Sequence, residues 1–131
     1  MTRVITFGTF DVFHVGHLRI LQRAKQEGDY LIVGVSSDEL NISKKARAPV
    51  YNTRNRIEIL SAIGIVDEVF TEESLELKRQ YIEQFQADKL VMGDDWKGKF
   101  DEFSDICEVV YLPRTPSVST TEVIEVIKST R

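Results

Sequence analysis

The sequence predicts an α/β domain in which a parallel β-sheet is covered by helices on both faces. Short runs of almost wholly apolar residues recur along the chain, and amphipathic helical patterns separate them. Strands that are apolar throughout are typical of a sheet buried on both sides, because a half-exposed strand alternates polar with apolar residues. No repeat or Pro/Gly/Ser-rich linker divides the 131 residues, which indicates a single domain over residues 1–131.

Five apolar runs are predicted to form the strands. They lie at residues 4–7, 30–35, 68–70, 89–92 and 108–112. Parallel neighbours need long crossover connections, and the helical patterns between the runs supply them. The expected architecture is therefore a Rossmann-like three-layer domain, with a five-stranded parallel sheet flanked by helices.

Four amphipathic patterns are predicted to form helices. The first ends at Gly28 and the second near Gly64, while the third begins at Ser74 and the fourth at about Thr120. Their apolar faces are, in chain order, Leu18, Leu21 and Ala24; Ile57, Leu60 and Ile63; Leu75, Tyr81, Ile82 and Phe85; and Val123, Ile124 and Ile127.

Composition is typical of a soluble globular protein. Seventeen Lys and Arg against 21 Asp and Glu leave a net charge of −4, so general binding to nucleic acid, which needs a basic excess, is not expected. The single cysteine, Cys107, cannot form an intrachain disulfide, and its apolar setting favours a packed, inert thiol. Apolar stretches are too short for membrane insertion and the N-terminus has no leader pattern, so a cytoplasmic location is expected.

The first polar cluster follows the first predicted strand, in the segment GTFDVFHVGH at residues 8–17. His14 and His17 are the only histidines of the chain, and their spacing at a helix start lets them share one face. Gly8 permits a tight exit from the strand, and Gly16 leaves the helix start uncrowded, so free N–H groups there attract phosphate. Two imidazoles that donate hydrogen bonds suit a transition state that gathers charge on phosphate oxygens. A metal pair or two surface histidines are the alternatives, although carboxylates would have to complete a metal site.

A cationic run follows the second predicted strand. It comprises Ser43, Lys44, Lys45 and Arg47, with Arg54 and Arg56 further along. It is the densest positive stretch of an acidic chain, and it is predicted to lie in a long polar connection. A mobile loop of this charge could close over a triphosphate and neutralise the reacting phosphorus. A solvated surface loop is the equal alternative.

Two more polar clusters follow the fourth and fifth predicted strands. The segment GDDW at residues 93–96 offers carboxylates and an indole to hydroxyls or a base edge, and an ordinary turn is the alternative. The segment RTPSVSTTE at residues 114–122 places an arginine and hydroxyls at a helix start, which suits a phosphate or a simple N-cap. Because parallel strands end at one edge of a sheet, we expect these clusters to meet in one crevice.

These motifs resemble those of the cytidylyltransferase family of HxGH nucleotidyltransferases. Residues 8–17 resemble the superfamily motif, and Arg114-Thr115 leading to Ser119-Thr120-Thr121 resembles the RTxxxSTT element. The resemblance covers essentially the whole chain. Later segments, such as residues 91–96 and 110–115, are most similar to members whose acceptor is glycerol 3-phosphate.

The resemblance implies that CTP and sn-glycerol 3-phosphate react to give CDP-glycerol, a teichoic-acid or capsule precursor, and pyrophosphate. It implies a homodimer and Mg²⁺ that enters with CTP, with Asp11 as an indirect contributor. The residues implied to be catalytic are His14, His17, Lys44 and Arg114. Those implied to bind nucleotide or substrate are Gly8, Thr9, Phe10, Asp11, Gly16, Arg56, Asp94, Asp95, Trp96, Thr115, Ser119, Thr120 and Thr121.

Three positions depart from the family pattern. Gly64 stands where the glycerol-phosphate members have an arginine (Arg54 is a nearby cation), Ser117 replaces the usual glycine, and Ala46 replaces a common lysine. These departures affect the predicted identity of the acceptor, so another polyol phosphate or an amino-alcohol phosphate is an alternative acceptor. Two further alternatives are an adenylyltransferase of the flavin or sugar-phosphate type and a non-catalytic nucleotide-binding domain.

Overall fold

A single five-stranded sheet forms the centre of the computed structural model, which describes residues 1–113 and 120–129. The strands are β1 (Arg3–Gly8), β2 (Tyr30–Ser36), β3 (Glu68–Glu72), β4 (Lys89–Gly93) and β5 (Glu108–Leu112). They lie in the order β3-β2-β1-β4-β5, and all four neighbouring pairs are parallel. The predicted parallel sheet is confirmed, and the strand order reverses between β1 and β4.

Within the described residues, five α-helices connect or follow the strands. They are α1 (Val15–Gln26), α2 (Asp38–Lys45), α3 (Thr53–Ser61), α4 (Lys78–Gln84) and α5 (Thr120–Ser129). Shorter 3₁₀ helices lie at Leu75–Leu77, Asp94–Trp96 and Asp101–Asp105. None of the described helices is long and apolar enough to cross a membrane.

The core consists of two apolar clusters, one on each face of the sheet. Val4 and Leu31 belong to the cluster that also contains Leu21 of α1 and Leu60 of α3. The next residue of each strand, Ile5 in β1 and Ile32 in β2, belongs to the other cluster, with Ile82 of α4. Because successive side chains of a strand point to opposite faces, this alternation confirms the predicted cover on both sides.

Two details of the predicted helices are wrong. The predicted third helix begins with a 3₁₀ turn capped by Ser74, so Leu75 is 45% exposed rather than buried. The second predicted stripe extends to Ile63, whereas α3 ends at Ser61. Cys107 lies just before β5, half-buried, and burial raises the pKa of its thiol, in keeping with the packed, unreactive thiol expected.

Candidate active site

The turn from β1 into α1 holds the two histidines side by side. His14 is the N-cap of α1, and its Nδ1 accepts the Gly16 N–H at 3.0 Å. His17 reaches back, and its Nδ1 accepts the His14 N–H at 3.2 Å. The two imidazoles thus form a reciprocal cap that satisfies two free N–H groups at the helix start. Their rings stack with centroids 3.9 Å apart.

These hydrogen bonds assign the tautomer of both neutral rings. Each Nδ1 accepts a backbone N–H, so the proton of each imidazole lies on Nε2. Nε2 of His14 lies 3.3 Å from Thr120 Oγ1, and Nε2 of His17 lies 3.4 Å from the same oxygen. The Thr120 hydroxyl in turn donates to the Asp11 carbonyl oxygen at 3.2 Å. Two N–H donors therefore converge on one oxygen at the start of α5.

Burial keeps this pair of imidazoles uncharged at neutral pH. Burial, assisted by the neighbouring His14 ring, lowers the pKa of His17 to about 4, and Asp11 opposes the shift only in part. Burial also lowers the pKa of His14. Neutral imidazoles with fixed Nε2–H groups act as preorganised donors to an oxygen that gains negative charge.

The backbone that leads to the histidines adopts left-handed conformations without glycine. Phe10 has φ of 54° and Val12 has φ of 47°, a region that is costly for a β-branched residue. The Phe10 ring folds back over Gly8, where a Cβ would lie only 2.8 Å from the ring. The same ring packs edge-on against His17 at 5.5 Å. Gly8 and Phe10 thus set the position of His17.

Asp11, one of the predicted binding residues, anchors a neighbouring loop. The side chain is buried, and Oδ2 accepts the Val50 N–H at 2.7 Å. Oδ1 accepts the N–H groups of Tyr51 at 2.9 Å and Val12 at 3.0 Å. Both carboxylate oxygens are therefore engaged with backbone N–H groups, which fixes the Asp11 side chain between the histidine turn and this loop.

Arg56, another of the predicted binding residues, is buried near the start of α3. Its side chain is 0% exposed, so no guanidinium atom is open to a ligand. The guanidinium donates to the carbonyl oxygens of Thr9, Ser36 and Tyr51 at 2.9, 2.7 and 2.9 Å, and to Asp38 Oδ1 at 2.8 Å. Arg56 therefore joins the ends of β1 and β2 to the starts of α2 and α3.

Thr9 makes a second link between the histidine turn and α2. Its hydroxyl donates to Asn41 Oδ1 at 2.9 Å, and Asn41 is buried in α2. The Asn41 amide donates to the carbonyl oxygens of Ser36 and Ser37 at 3.2 and 2.9 Å. The Thr9 side chain therefore organises the site through protein contacts.

The cationic run ends a helix, which corrects the prediction of a long mobile connection. Ser37 caps α2 through the Leu40 N–H at 3.0 Å, and Lys44 and Lys45 form its last turn. Lys44 is open to solvent, yet partial desolvation of its ammonium lowers its pKa. Glu72 opposes that shift, whereas Lys45 and Lys78 add to it, so Lys44 lies within electrostatic reach of the end of β3.

A buried ion pair that was not predicted lies at this edge of the sheet. Lys78 of α4 contacts Glu72 at the end of β3, with side chains 6% and 2% exposed. The Lys78 ammonium lies 4.5 Å from the centre of the Phe7 ring and 5.6 Å from that of Phe100. A signal was present in the sequence, because Lys78 lies four residues before Ile82, on the apolar side of its helix.

The remaining predicted residues lie at the ends of β4 and β5. Asp94, Asp95 and Trp96 form an exposed 3₁₀ turn directly after β4. Thr121 is exposed in the first turn of α5. The predictions for Arg114, Thr115, Ser117 and Ser119 fall outside the described residues. In the part of the chain that the structure describes, no group of three or more His, Cys, Asp and Glu is arranged to hold a metal ion.

The two histidines lie where the strand order of the parallel sheet reverses, which is the place where sheets of this kind bind their ligands. The chain belongs to the Cytidylyltransferase-like family, whose sequence profile matches residues 5–126. It is 52% identical to glycerol-3-phosphate cytidylyltransferase of Bacillus subtilis over 97% of this chain and 98% of that protein. It is 46% identical to the enzyme of that name from Staphylococcus aureus, over 94% of this chain and 92% of the relative.

More distant relatives carry different names. FAD synthase of Pyrococcus horikoshii is 33% identical over 94% of this chain and 90% of its own. A solved structure, described as a lipopolysaccharide core biosynthesis protein from Thermoplasma volcanium, superposes with a TM-score of 0.75 at 24% identity, over 90% of this chain and 99% of that one. At that identity, the superposition supports the fold alone.

Proposed function

We propose that this protein transfers CMP from CTP to sn-glycerol 3-phosphate, giving CDP-glycerol and pyrophosphate. The observation that carries the proposal is the convergence of two neutral imidazole N–H groups on the Thr120 oxygen, at a helix start. A phosphate oxygen that replaces the hydroxyl oxygen would receive both donors. Relatives named for this activity, 46% to 52% identical over nearly the whole chain, support the choice of nucleotide and acceptor.

The proposed reaction is a direct displacement. An oxygen of the acceptor phosphate attacks the α-phosphorus of CTP, and the bond from that phosphorus to the oxygen bridging to the β-phosphorus breaks as pyrophosphate leaves. His14 and His17 donate hydrogen bonds to the oxygens on which charge increases, and Lys44 and Arg114 neutralise phosphate charge. Neither imidazole needs to give up its proton, in keeping with their lowered pKa values.

The proposed reaction requires Mg²⁺, which would bind together with CTP as its complex with the triphosphate. Asp11 would contribute to this site indirectly, because its carboxylate oxygens accept backbone N–H groups that hold the surrounding turn and loop. The triphosphate itself would supply the oxygen ligands that Mg²⁺ prefers. Activity should therefore disappear when a chelator removes Mg²⁺, while the unfolding midpoint of the ligand-free protein should stay unchanged.

A panel of substrates tests the proposal. The purified protein is incubated with CTP or ATP and with glycerol 3-phosphate, ribitol 5-phosphate, phosphoethanolamine or flavin mononucleotide, and pyrophosphate release and nucleotide products are measured. We expect release only with CTP, and most rapidly with glycerol 3-phosphate. ATP and flavin mononucleotide as the best pair would instead support the FAD synthase alternative. Binding of CTP without turnover on any acceptor would indicate a non-catalytic domain.

The proposal also includes a homodimer and a cytoplasmic location, as family members imply. Light scattering after gel filtration should give twice the chain mass, and a mass equal to one chain would contradict the dimer. Cell fractionation of the native source should recover the protein with cytoplasmic enzymes. Recovery in the membrane or outside the cell would contradict that location.

A further inference from the structure

One buried asparagine joins α2 to the histidine turn. Asn41 is 1% exposed, and its Oδ1 accepts the Thr9 hydroxyl at 2.9 Å. Its amide donates to the carbonyl oxygens of Ser36 and Ser37 at 3.2 and 2.9 Å, and to Ser36 Oγ at 3.0 Å. The amide is therefore paired within its own β2–α2 segment, and the side-chain oxygen is paired with the residue that follows β1.

The bond with Thr9 is the one of these that reaches a distant segment. Thr9 lies 32 residues before Asn41, directly after Gly8 and in the turn that leads to His14. In the sheet Gly8 pairs with Val35, near the end of β2, so α2 begins beside that turn. A single hydroxyl thus ties the inner side of α2 to the backbone that carries the histidines.

Lys44 lies one turn further along the same helix. It follows Asn41 by three residues, so the Cβ atoms of the two residues are roughly 5–6 Å apart. The Lys44 ammonium interacts with the Glu72 carboxylate, which lies at the end of β3. The Lys44 side chain is therefore directed towards the carboxyl ends of the strands, where sheets of this kind bind their ligands. A shift of α2 at Asn41 would move this ammonium as well.

We propose that Asn41 is a positioning residue for Lys44, and that its hydrogen bond with Thr9 sets the distance between the Lys44 ammonium and the two imidazoles. This inference rests on the proposed function, in which Lys44 and the histidines bind phosphates of one nucleotide. Asn41 is too deeply buried to touch a substrate. A protein that already holds its cation and its N–H donors at a fixed separation binds a triphosphate without first having to order α2.

The test removes one hydroxyl group. Thr9→Val keeps the shape of the side chain but leaves Asn41 Oδ1 buried without its donor. We expect the Kd for CTP, measured by calorimetry, to rise about three- to tenfold, the size of effect that loss of one hydrogen bond produces. Thr9→Ser, which keeps the hydroxyl, should bind CTP more tightly than Thr9→Val. An unchanged Kd in Thr9→Val would overturn the proposal.

The matched control is Thr6→Val, the same change three residues earlier. Thr6 is buried in β1, but its hydroxyl is directed at Met92 Sδ of β4, 3.9 Å away, and not at α2. Thr6→Val should leave the Kd for CTP within about twofold of that of the unaltered protein. An equal rise in the two variants would assign the loss to a disturbed β1 and would overturn the role of the Thr9–Asn41 bond.

A double-mutant cycle decides whether this bond acts through Lys44. Lys44→Ala removes the cation, so the exact place of α2 should no longer matter to the triphosphate. In the Lys44→Ala protein, Thr9→Val should therefore change the Kd for CTP less than about twofold. The same three- to tenfold rise in both backgrounds would show that the bond acts without Lys44, and the positioning role would be rejected.

Hydrogen exchange supplies a readout that needs no ligand. The amides of residues 38–45 should exchange faster in Thr9→Val than in the unaltered protein or in Thr6→Val, because α2 has lost its tie to the histidine turn. Equal exchange in all three proteins would overturn the mechanical link. Failure of the unaltered protein to bind CTP would instead reject the proposed function, and the exchange rates would still decide the link.

Discussion

Backbone hydrogen bonds determine which nitrogen of each histidine carries the proton. Each Nδ1 accepts an N–H of the same helix start, and each Nε2–H is thereby directed at Thr120. An isolated imidazole divides its proton between two nitrogens, whereas these are held in the donating form. Preorganised donors of this kind need no rearrangement when charge develops on a phosphate oxygen.

Removal of either ring should slow the chemical step more than it weakens binding. We expect His14→Ala and His17→Ala each to lower kcat by a factor on the order of 10² or more, with smaller changes in the Kd for CTP. Steady-state kinetics and calorimetry measure the two quantities. His17→Gln, whose amide can place an N–H near the position of Nε2, should retain more activity than His17→Ala. An unchanged kcat in either alanine variant would remove that histidine from the mechanism.

The lowered pKa of His17 predicts a loss of stability in mild acid. The unfolded chain takes up a proton at an ordinary pKa of 6.5, whereas the folded protein resists until about pH 4, so this stabilisation is complete above pH 6.5 and is lost as the pH falls towards 4. Between pH 7 and pH 5 this group should lower the free energy of unfolding by about 2 kcal/mol, measured by urea denaturation. The His17→Gln variant has no imidazole to protonate at this position, so its free energy of unfolding should fall less between pH 7 and pH 5. Equal losses of stability in the unaltered protein and in His17→Gln would contradict a buried, uncharged His17.

At the scale of elements, two buried side chains assemble the crevice from separate segments. Asp11 holds the loop before α3 through Val50 and Tyr51. Arg56, from α3, holds the same loop and the ends of β1 and β2. Helix α2, which carries Lys44, is therefore fixed relative to the histidine turn by groups that touch no substrate.

Arg56→Lys should test that assembly. Lysine keeps the charge but cannot reproduce the planar set of donors, so buried carbonyl oxygens lose their partners. We expect the free energy of unfolding to fall by about 2–4 kcal/mol in urea denaturation. The control is Arg54→Lys, two residues away and exposed, which should stay within about 0.5 kcal/mol of the unaltered protein. Similar values for the two variants would contradict the central role of Arg56.

Local patterns were sufficient to predict the sheet and most helices. The strands were identified by unbroken apolar runs, and α1 by a periodic apolar face between a histidine-bearing turn and a glycine. Helix α2 was not predicted, because it has only eight residues and one buried apolar side chain, Leu40. These are too few to produce a recognisable helical periodicity of apolar residues. Its cap, Ser37, and the acidic residues that follow it were the available signal.

The site was predicted less completely, because several of its contacts join distant segments. Arg56 resembled a substrate-binding cation, but its partners lie as far away as Thr9, 47 residues earlier. No local pattern distinguishes an arginine that reaches a ligand from one that binds three backbone carbonyl oxygens. The same holds for Asp11, which accepts N–H groups from residues 39 and 40 positions away.

At the scale of the whole molecule, the sheet separates two apolar clusters, and the cluster on the α4 side is rich in aromatic rings. Rings of Phe7, Phe70, Tyr81 and Phe85 pack together on the α4 side. Gly34 of β2 gives them space, because a Cβ there would lie 2.7 Å from both Phe7 and Phe70. Close packing of this kind links the middle of the sheet to Lys78, whose ammonium lies 4.5 Å from the centre of the Phe7 ring.

Gly34→Ala should therefore destabilise the protein by overpacking. Both rings would have to shift, and we expect a loss of about 1–3 kcal/mol in the free energy of unfolding. The control is Gly64→Ala, where an added Cβ meets nothing within 4 Å. That variant should be neutral or slightly stabilised. A Gly34→Ala protein as stable as the Gly64→Ala protein would contradict the packing argument.

The Thr120 hydroxyl has a consequence for how a substrate enters. In the ligand-free protein its oxygen already accepts the N–H groups of both imidazoles, and its own O–H donates a hydrogen bond to the Asp11 carbonyl oxygen. A phosphate that binds here must displace the Thr120 hydroxyl from the two imidazoles. Binding therefore exchanges one set of hydrogen bonds for another, and their number changes little. The histidines then select a phosphate over an uncharged alcohol, because hydrogen bonds to a charged oxygen are stronger. An alcohol oxygen would form bonds no stronger than those of the Thr120 hydroxyl that it displaces.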